Sequence, residues 1–135
     1  MSRIRILLAD PNASMLAMLT ELLGEEFDIV GAVHTGADAL RRSSEMEPDL
    51  ILMDVVLDGI NGFELGNQLQ STSPDLKIVY LSMYEGPAFV NAAFASGASG
   101  YVFKSRANSD LLNAIRAVFR GEKFNPITNV HRKKA

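Results

Sequence analysis

The chain has no cysteine and no tryptophan, only two histidines, and five prolines in 135 residues. Without cysteine there is no disulfide framework, no thiolate metal site and no cysteine nucleophile, and isolated His34 and His131 cannot build a zinc site on their own. Metal chemistry, if the protein uses any, must be oxygen-based. The longest apolar runs, such as Ile4 to Ala9 and Leu50 to Met53, fall far short of the roughly 20 residues of a membrane span. The opening Met1-Ser2-Arg3-Ile4-Arg5 is too charged, and the run after it too short, for a secretory signal, so a soluble cytoplasmic chain with no membrane partner is expected. An excess of basic residues is also missing: 13 Lys and Arg face 16 Asp and Glu, a net charge of -3. The domain as a whole therefore offers no basic face for nucleic acid. Its end differs, because Arg132, Lys133 and Lys134 make a basic tail that reads as a linker, a nucleic-acid arm or a solvated terminus. Neither G-x-G-x-x-G nor G-x-x-x-x-G-K-[ST] occurs, which speaks against dinucleotide and P-loop chemistry.

What is present is one domain's worth of apolar sequence, 47% hydrophobic, with room for a single sizeable core. Five short segments rich in Ile, Val, Leu or aromatics read as strands: Ile4 to Ala9, Asp28 to His34, Leu50 to Met53, Ile78 to Leu81 and Gly100 to Phe103. Stretches with helical spacing fill the gaps. Leu16, Leu19, Leu22 and Leu23 recur at steps of three and four, and Leu111, Leu112, Ile115, Val118 and Phe119 make a second stripe. Ala37 to Glu45, Gly62 to Gln70 and Ala88 to Ser96 supply the rest. Gly24 reads as the residue just past the first helix, and Ser109 as the N-cap of the last.

Strict strand-helix alternation with short connections implies parallel strands, right-handed crossovers and helices on both sheet faces. The second strand, with Asp28 and His34 at its ends, reads as peripheral. In such sheets ligands bind beyond the carboxyl ends of the strands. The residues just past those ends are Asp10, Asp54, Ser82 and Lys104. Each alone has a plain structural reading: a turn-forming acid, a helix-capping serine, a solvated lysine. Together they make a phosphoryl-acceptor set. A carboxylate can attack phosphorus and form an acyl phosphate where the charge on the phosphoryl oxygens is neutralised, here by an ammonium group, a hydroxyl and a divalent cation.

At these residues the chain resembles a receiver domain of a two-component response regulator, from about Ile4 to Phe119. The segments that carry the likeness are "IRILLAD", "PDLILMDVVLDGINGFEL" and "KIVYLSMYEGPAFVNAAFASGASGYVFKS", and they resemble the NarL/LuxR-type subfamily most. The resemblance implies a flavodoxin-like, doubly wound five-stranded parallel sheet of order 2-1-3-4-5 with five helices. It implies Asp54 as phosphoacceptor, Lys104 as its lysine partner, Ser82 as the switch hydroxyl and Tyr101 as the switch aromatic. It implies Mg²⁺ held by Asp10, Asp54 and the backbone carbonyl of Val56, a sensor histidine kinase as phosphodonor, and homodimerisation on activation. A receiver over residues 1–120 is expected, with 121–135 as linker or tail. Transcription regulation, and DNA contact, would then run through an output domain that these residues do not contain. Such a domain is a signalling module rather than an enzyme.

One position departs from the family pattern. Receivers usually carry two acids after the first strand, the second touching Mg²⁺ directly, and here that position is Pro11. Proline suits the first turn of a helix, where its fixed φ fits and its missing N–H costs nothing. Asp58, or the amide oxygen of Asn12, is a candidate replacement ligand, and Asp10 could shift to direct ligation. The departure leaves a second expectation beside the first, a pseudo-receiver that binds its partner without phosphate.

Overall fold

The structure is a computed structural model that describes residues 3–128. Five of the apolar segments pair side by side because their backbones must satisfy N–H and C=O groups that the core cannot solvate. They are β1 (Arg5–Ala9), β2 (Asp28–Val33), β3 (Leu50–Met53), β6 (Lys77–Ser82) and β7 (Gly100–Phe103). All adjacent pairs are parallel, in the order β2-β1-β3-β6-β7. The intervening β4 (Val56–Leu57) and β5 (Ile60–Asn61) form a separate antiparallel hairpin. With that hairpin set aside, the sheet has the expected 2-1-3-4-5 winding. The hairpin was not expected, and its turn explains it: Asp58 and Gly59 have φ of 51° and 78°, the paired left-handed geometry that an Asp-Gly two-residue loop adopts.

Five α-helices connect the strands: α1 (Ala13–Leu23), α2 (Gly36–Met46), α3 (Gly62–Thr72), α4 (Pro87–Ala95) and α5 (Ala107–Phe119). A 3₁₀ turn at Lys104–Arg106 leads into α5. Side chains alternate across the sheet and build two cores. Ile6, Leu8, Leu52, Val79 and Val102 meet α1 and α5 on one face. Leu7, Ile51, Met53, Tyr80 and Tyr101 meet α2, α3 and α4 on the other.

Three boundary expectations are corrected. Helix α1 begins at Ala13, with Asn12 as its cap: the Asn12 carboxamide oxygen accepts from the Met15 N–H at 2.9 Å. Pro11 therefore precedes the cap and is not a helical residue. Gly24 closes α1 with φ of -66°, a right-handed conformation, and its N–H donates to Thr20 O. Helix α5 starts two residues before Ser109, which instead donates from its hydroxyl to the Arg106 carbonyl at 3.1 Å.

The chain after α5 folds back onto the sheet. Phe124 is 3% exposed and pairs with the free edge of β7. Its N–H donates to Ser99 O at 3.1 Å, and its carbonyl accepts from the Tyr101 N–H at 3.0 Å. Ile127 packs on the core face opposite the one that receives Phe124. The described part of 121–135 is thus seated on the domain, because Phe124 and Ile127 supply apolar anchors that composition alone does not distinguish from linker. The basic residues Arg132, Lys133 and Lys134, and His131, lie outside the described residues.

Candidate functional site

Register puts the two acids together. Ala9 and Met53 are ladder partners, so the next residues, Asp10 and Asp54, leave adjacent strands side by side. The ladder continues one step beyond the strands: Asp10 N–H donates to Val33 O and Asp54 N–H to Ala9 O, each at 3.0 Å. Both acid backbones are therefore fixed by the sheet. Lys104 begins two strands away, just past β7, and its flexible four-carbon stem reaches back across the end of β6. Its Nζ donates to Asp54 Oδ2 at 2.8 Å and forms an ion pair with Asp10 Oδ2 at 3.0 Å.

Two carboxylates at one ammonium group is a tightly coupled arrangement. Burial works against the charge on Lys104, but the hydrogen bond to Asp54 and the attraction of both Asp54 and Asp10 outweigh it and raise its pKa above the usual 10.5. The remaining carboxylate oxygens are only partly used. Asp10 Oδ1 accepts from the Asn12 N–H at 2.9 Å, and Asp54 Oδ1 accepts from the Val56 N–H at 3.3 Å. Asp10 Oδ2 is buried beside Nζ with no donor aligned for a hydrogen bond. It is neutralised without being hydrogen-bonded.

That under-satisfied oxygen, with the carboxylate of Asp54, is a hard-oxygen donor pair of the kind Mg²⁺ takes, with water filling the rest of its octahedron. Other candidate oxygens do not join it. Pro11 offers none, and the Asn12 side-chain oxygen is taken by the Met15 N–H. Asp58 sits in the exposed hairpin turn, and among the described residues no three His, Cys, Asp or Glu side chains gather to hold a metal.

Ser82 ends β6 fully buried, and Tyr101 on β7 is also fully buried. Both hold one residue of the loop before α4. Ser82 Oγ accepts from the Tyr84 N–H at 2.9 Å, and the Tyr101 hydroxyl donates to the Tyr84 carbonyl at 2.7 Å. Burial pushes the Tyr101 phenol upward, against a smaller opposing effect of Ser82. Its ring faces inward in this structure.

Sequence reasoning missed three residues here. A Cβ on Gly62 would lie 2.5 Å from the Val55 carbonyl oxygen and 2.8 Å from that of Asp54, so only glycine fits behind the acid. Tyr80 donates its buried hydroxyl to the Gly62 carbonyl at 2.8 Å and holds α3 against that turn. Tyr84 is the residue gripped by Ser82 and Tyr101. The Asn61-Gly62 pair signals a turn. Nothing in the sequence signals how close the Asp54 backbone passes.

Two acids and a lysine at the carboxyl end of a 2-1-3-4-5 sheet coincide with a match to the family described as response regulator receiver domain over residues 6–116. The chain belongs to the response regulator receiver family. It is 32% identical over 123 residues to the response regulator GacA of Pseudomonas viridiflava, covering 90% of this chain and 58% of that one. It is 32% identical over 121 residues to VraR of Staphylococcus saprophyticus, covering 88% and 58%. The receiver thus spans little more than half the length of these curated relatives. Among solved structures, a LuxR-family response regulator from Aurantimonas sp. superposes with a TM-score of 0.87 at 30% identity, covering 93% of this chain and 91% of the other. The isolated receiver of RcsB from Salmonella enterica, solved with the phosphomimetic BeF3⁻, shares the fold at 0.86 and 23% identity, covering 93% and 94%. No helix among the described residues is long and apolar enough to cross a membrane.

Proposed function

We propose that Asp54 accepts a phosphoryl group from the phosphohistidine of a sensor kinase. Asp54 Oδ attacks phosphorus as the donor's N–P bond breaks, and the imidazole leaves with the electron pair. The observation that carries this reading is the Lys104 ammonium held between Asp54 and Asp10. In the phosphorylated form Lys104 pairs with a phosphoryl oxygen instead of a carboxylate, and Ser82 donates its hydroxyl to another. Asp10, Asp54 and the Val56 carbonyl are the groups that would hold Mg²⁺, which supplies neutralisation of phosphoryl charge when bound. Pro11 removes one ligand and weakens that site. The output read for this receiver is transcription regulation through a DNA-binding output domain, together with pairing of receivers.

Intact-mass measurement after incubation with acetyl phosphate tests the proposal. A phosphoryl adduct that requires Mg²⁺ and is absent from Asp54→Asn is the expected result; no adduct at any Mg²⁺ concentration would sink it. A second reading has its own supporting observation: Pro11 replaces an acid while Tyr101 is already inward. It makes the domain a pseudo-receiver held in one conformation. Pro11→Asp discriminates, since tighter Mg²⁺ binding and faster labelling belong to the first reading, and an inert Pro11→Asp protein belongs to the second.

A further inference from the structure

A glycine in a helix interior weakens the helix relative to alanine, and α3 carries one at Gly66. The reason lies across the core. A Cβ added to Gly66 would collide with the Tyr80 hydroxyl oxygen and stand 3.2 Å from Ile78 Cδ1, so Gly66 is a notch in α3 that the phenol tip of Tyr80 fills. The ring behind that tip is fixed as well. Phe63, in the first turn of α3, meets it edge-on with centroids 5.2 Å apart, and the Tyr101 ring on β7 lies 6.5 Å away. Tyr80 is 1% exposed, so its hydroxyl must find a partner inside the protein. That partner is the Gly62 carbonyl, at 2.8 Å.

Gly62 is the residue that closes the phosphoacceptor loop. The chain leaves β3 at Asp54, passes through the β4-β5 hairpin and returns at Gly62, whose N–H donates to the Val55 carbonyl at 2.5 Å. Having no side chain, Gly62 lies directly against the Asp54 and Val55 carbonyls. The sheet holds the Asp54 backbone from one side, through the hydrogen bond to Ala9. Gly62 backs it from the other, and Tyr80 fastens Gly62. Burial pushes the Tyr80 phenol well above its usual pKa, against a smaller opposing effect of Ser96, so the hydroxyl stays protonated and able to donate.

We propose that Tyr80 is a positioning residue for phosphoryl transfer: its hydroxyl, seated in the notch at Gly66, holds Gly62 against the Asp54-Val55 backbone and so aims the Asp54 carboxylate. The proposal rests on Asp54 being the phosphoacceptor. In-line attack on phosphorus is sensitive to small displacements of the nucleophile, so a tether just behind the acid acts on the rate of transfer and leaves binding of the donor alone. A tyrosine that only fills the core acts on stability.

Tyr80→Phe keeps the ring and deletes the hydroxyl. At saturating Mg²⁺ its maximal rate of labelling by acetyl phosphate, read by intact mass per folded molecule, should fall roughly three- to tenfold, with the half-saturating acetyl phosphate concentration unchanged. Ile115→Val trims a fully buried side chain in the core on the other sheet face; it also loses stability and should label at the wild-type rate. Gly66→Ala fills the notch and should slow labelling by a similar factor in the wild-type background. In Tyr80→Phe, where no hydroxyl meets the new methyl group, Gly66→Ala should slow it no further. Wild-type labelling by Tyr80→Phe, an equal loss in Ile115→Val, or a Gly66→Ala effect undiminished in Tyr80→Phe overturns the proposal while Asp54 keeps its assignment. A wild-type protein that takes no label overturns the assignment of Asp54 and this proposal with it.

Discussion

Helices α4 and α5 flank the same edge strand, β7, from opposite sides of the sheet, and they are built differently. Helix α5 runs thirteen residues and buries seven of them, while its outer side carries Arg116, paired to Glu26. Helix α4 runs nine residues, buries two and carries no charge outside. Strand β7 divides its side chains accordingly: Val102 enters the α1/α5 core, whereas Tyr101 enters the α2/α3/α4 core and reaches the loop before α4. One side of the strand is a packed wall. The other is a lightly seated helix whose preceding loop is held by the Tyr101 hydroxyl and Ser82.

The largest expected effect tests the wall. Leu111→Ala removes a fully buried side chain from α5 and should cost about 3 kcal/mol in urea unfolding. Phe124→Ala should cost a similar amount, roughly 3 kcal/mol, if the chain after α5 belongs to the domain; a loss under about 0.5 kcal/mol would return it to a solvated linker. Amide hydrogen exchange sharpens the contrast without mutation. The α4 amides from Val90 to Ala95 should exchange at least roughly tenfold faster than those from Leu111 to Val118, because few buried contacts resist local opening. Equal protection would break the comparison.

Smaller effects probe what seats α4. Tyr101→Phe deletes the hydrogen bond to Tyr84 and should cost about 1 kcal/mol, together with faster exchange in the loop before α4 but not in α5. The smallest is a pH dependence. The pKa of Lys104 is raised in the folded state, so its stabilisation is complete below the unfolded value of about 10.5 and is lost as pH rises through the folded value. Unfolding free energy should therefore begin to fall near pH 10.5 and keep falling above it, and Lys104→Gln should lack that component of the fall.

Much of the fold is legible because apolar periodicity and burial have one cause. Strands β1, β3 and β7 lie almost wholly in the core and read as short unbroken apolar runs; α5 reads as a stripe because one of its faces packs. Asp10, Asp54 and Lys104 were legible as strand-end residues, and the parallel register brings them into contact. Boundaries failed where a local competitor won. Asn12 outcompeted Pro11 as the start of α1 because its side-chain oxygen satisfies a free helix N–H. Phe124 and Ile127 sit in a polar, glycine- and proline-punctuated stretch whose local pattern reads as linker, and only the open edge of β7 gives them a place.

By itself the sequence determined the alternation of strands and helices and the acids at their carboxyl ends. These follow from local patterning and from residue chemistry, which need no partner in space. The tertiary structure alone decided that one lysine spans both carboxylates, that Ser82 and Tyr101 grip the same residue, that Gly62 has no room for a side chain, and that α4 is left uncovered. Each of those depends on distances between segments far apart in the chain, and a linear pattern carries no such distances.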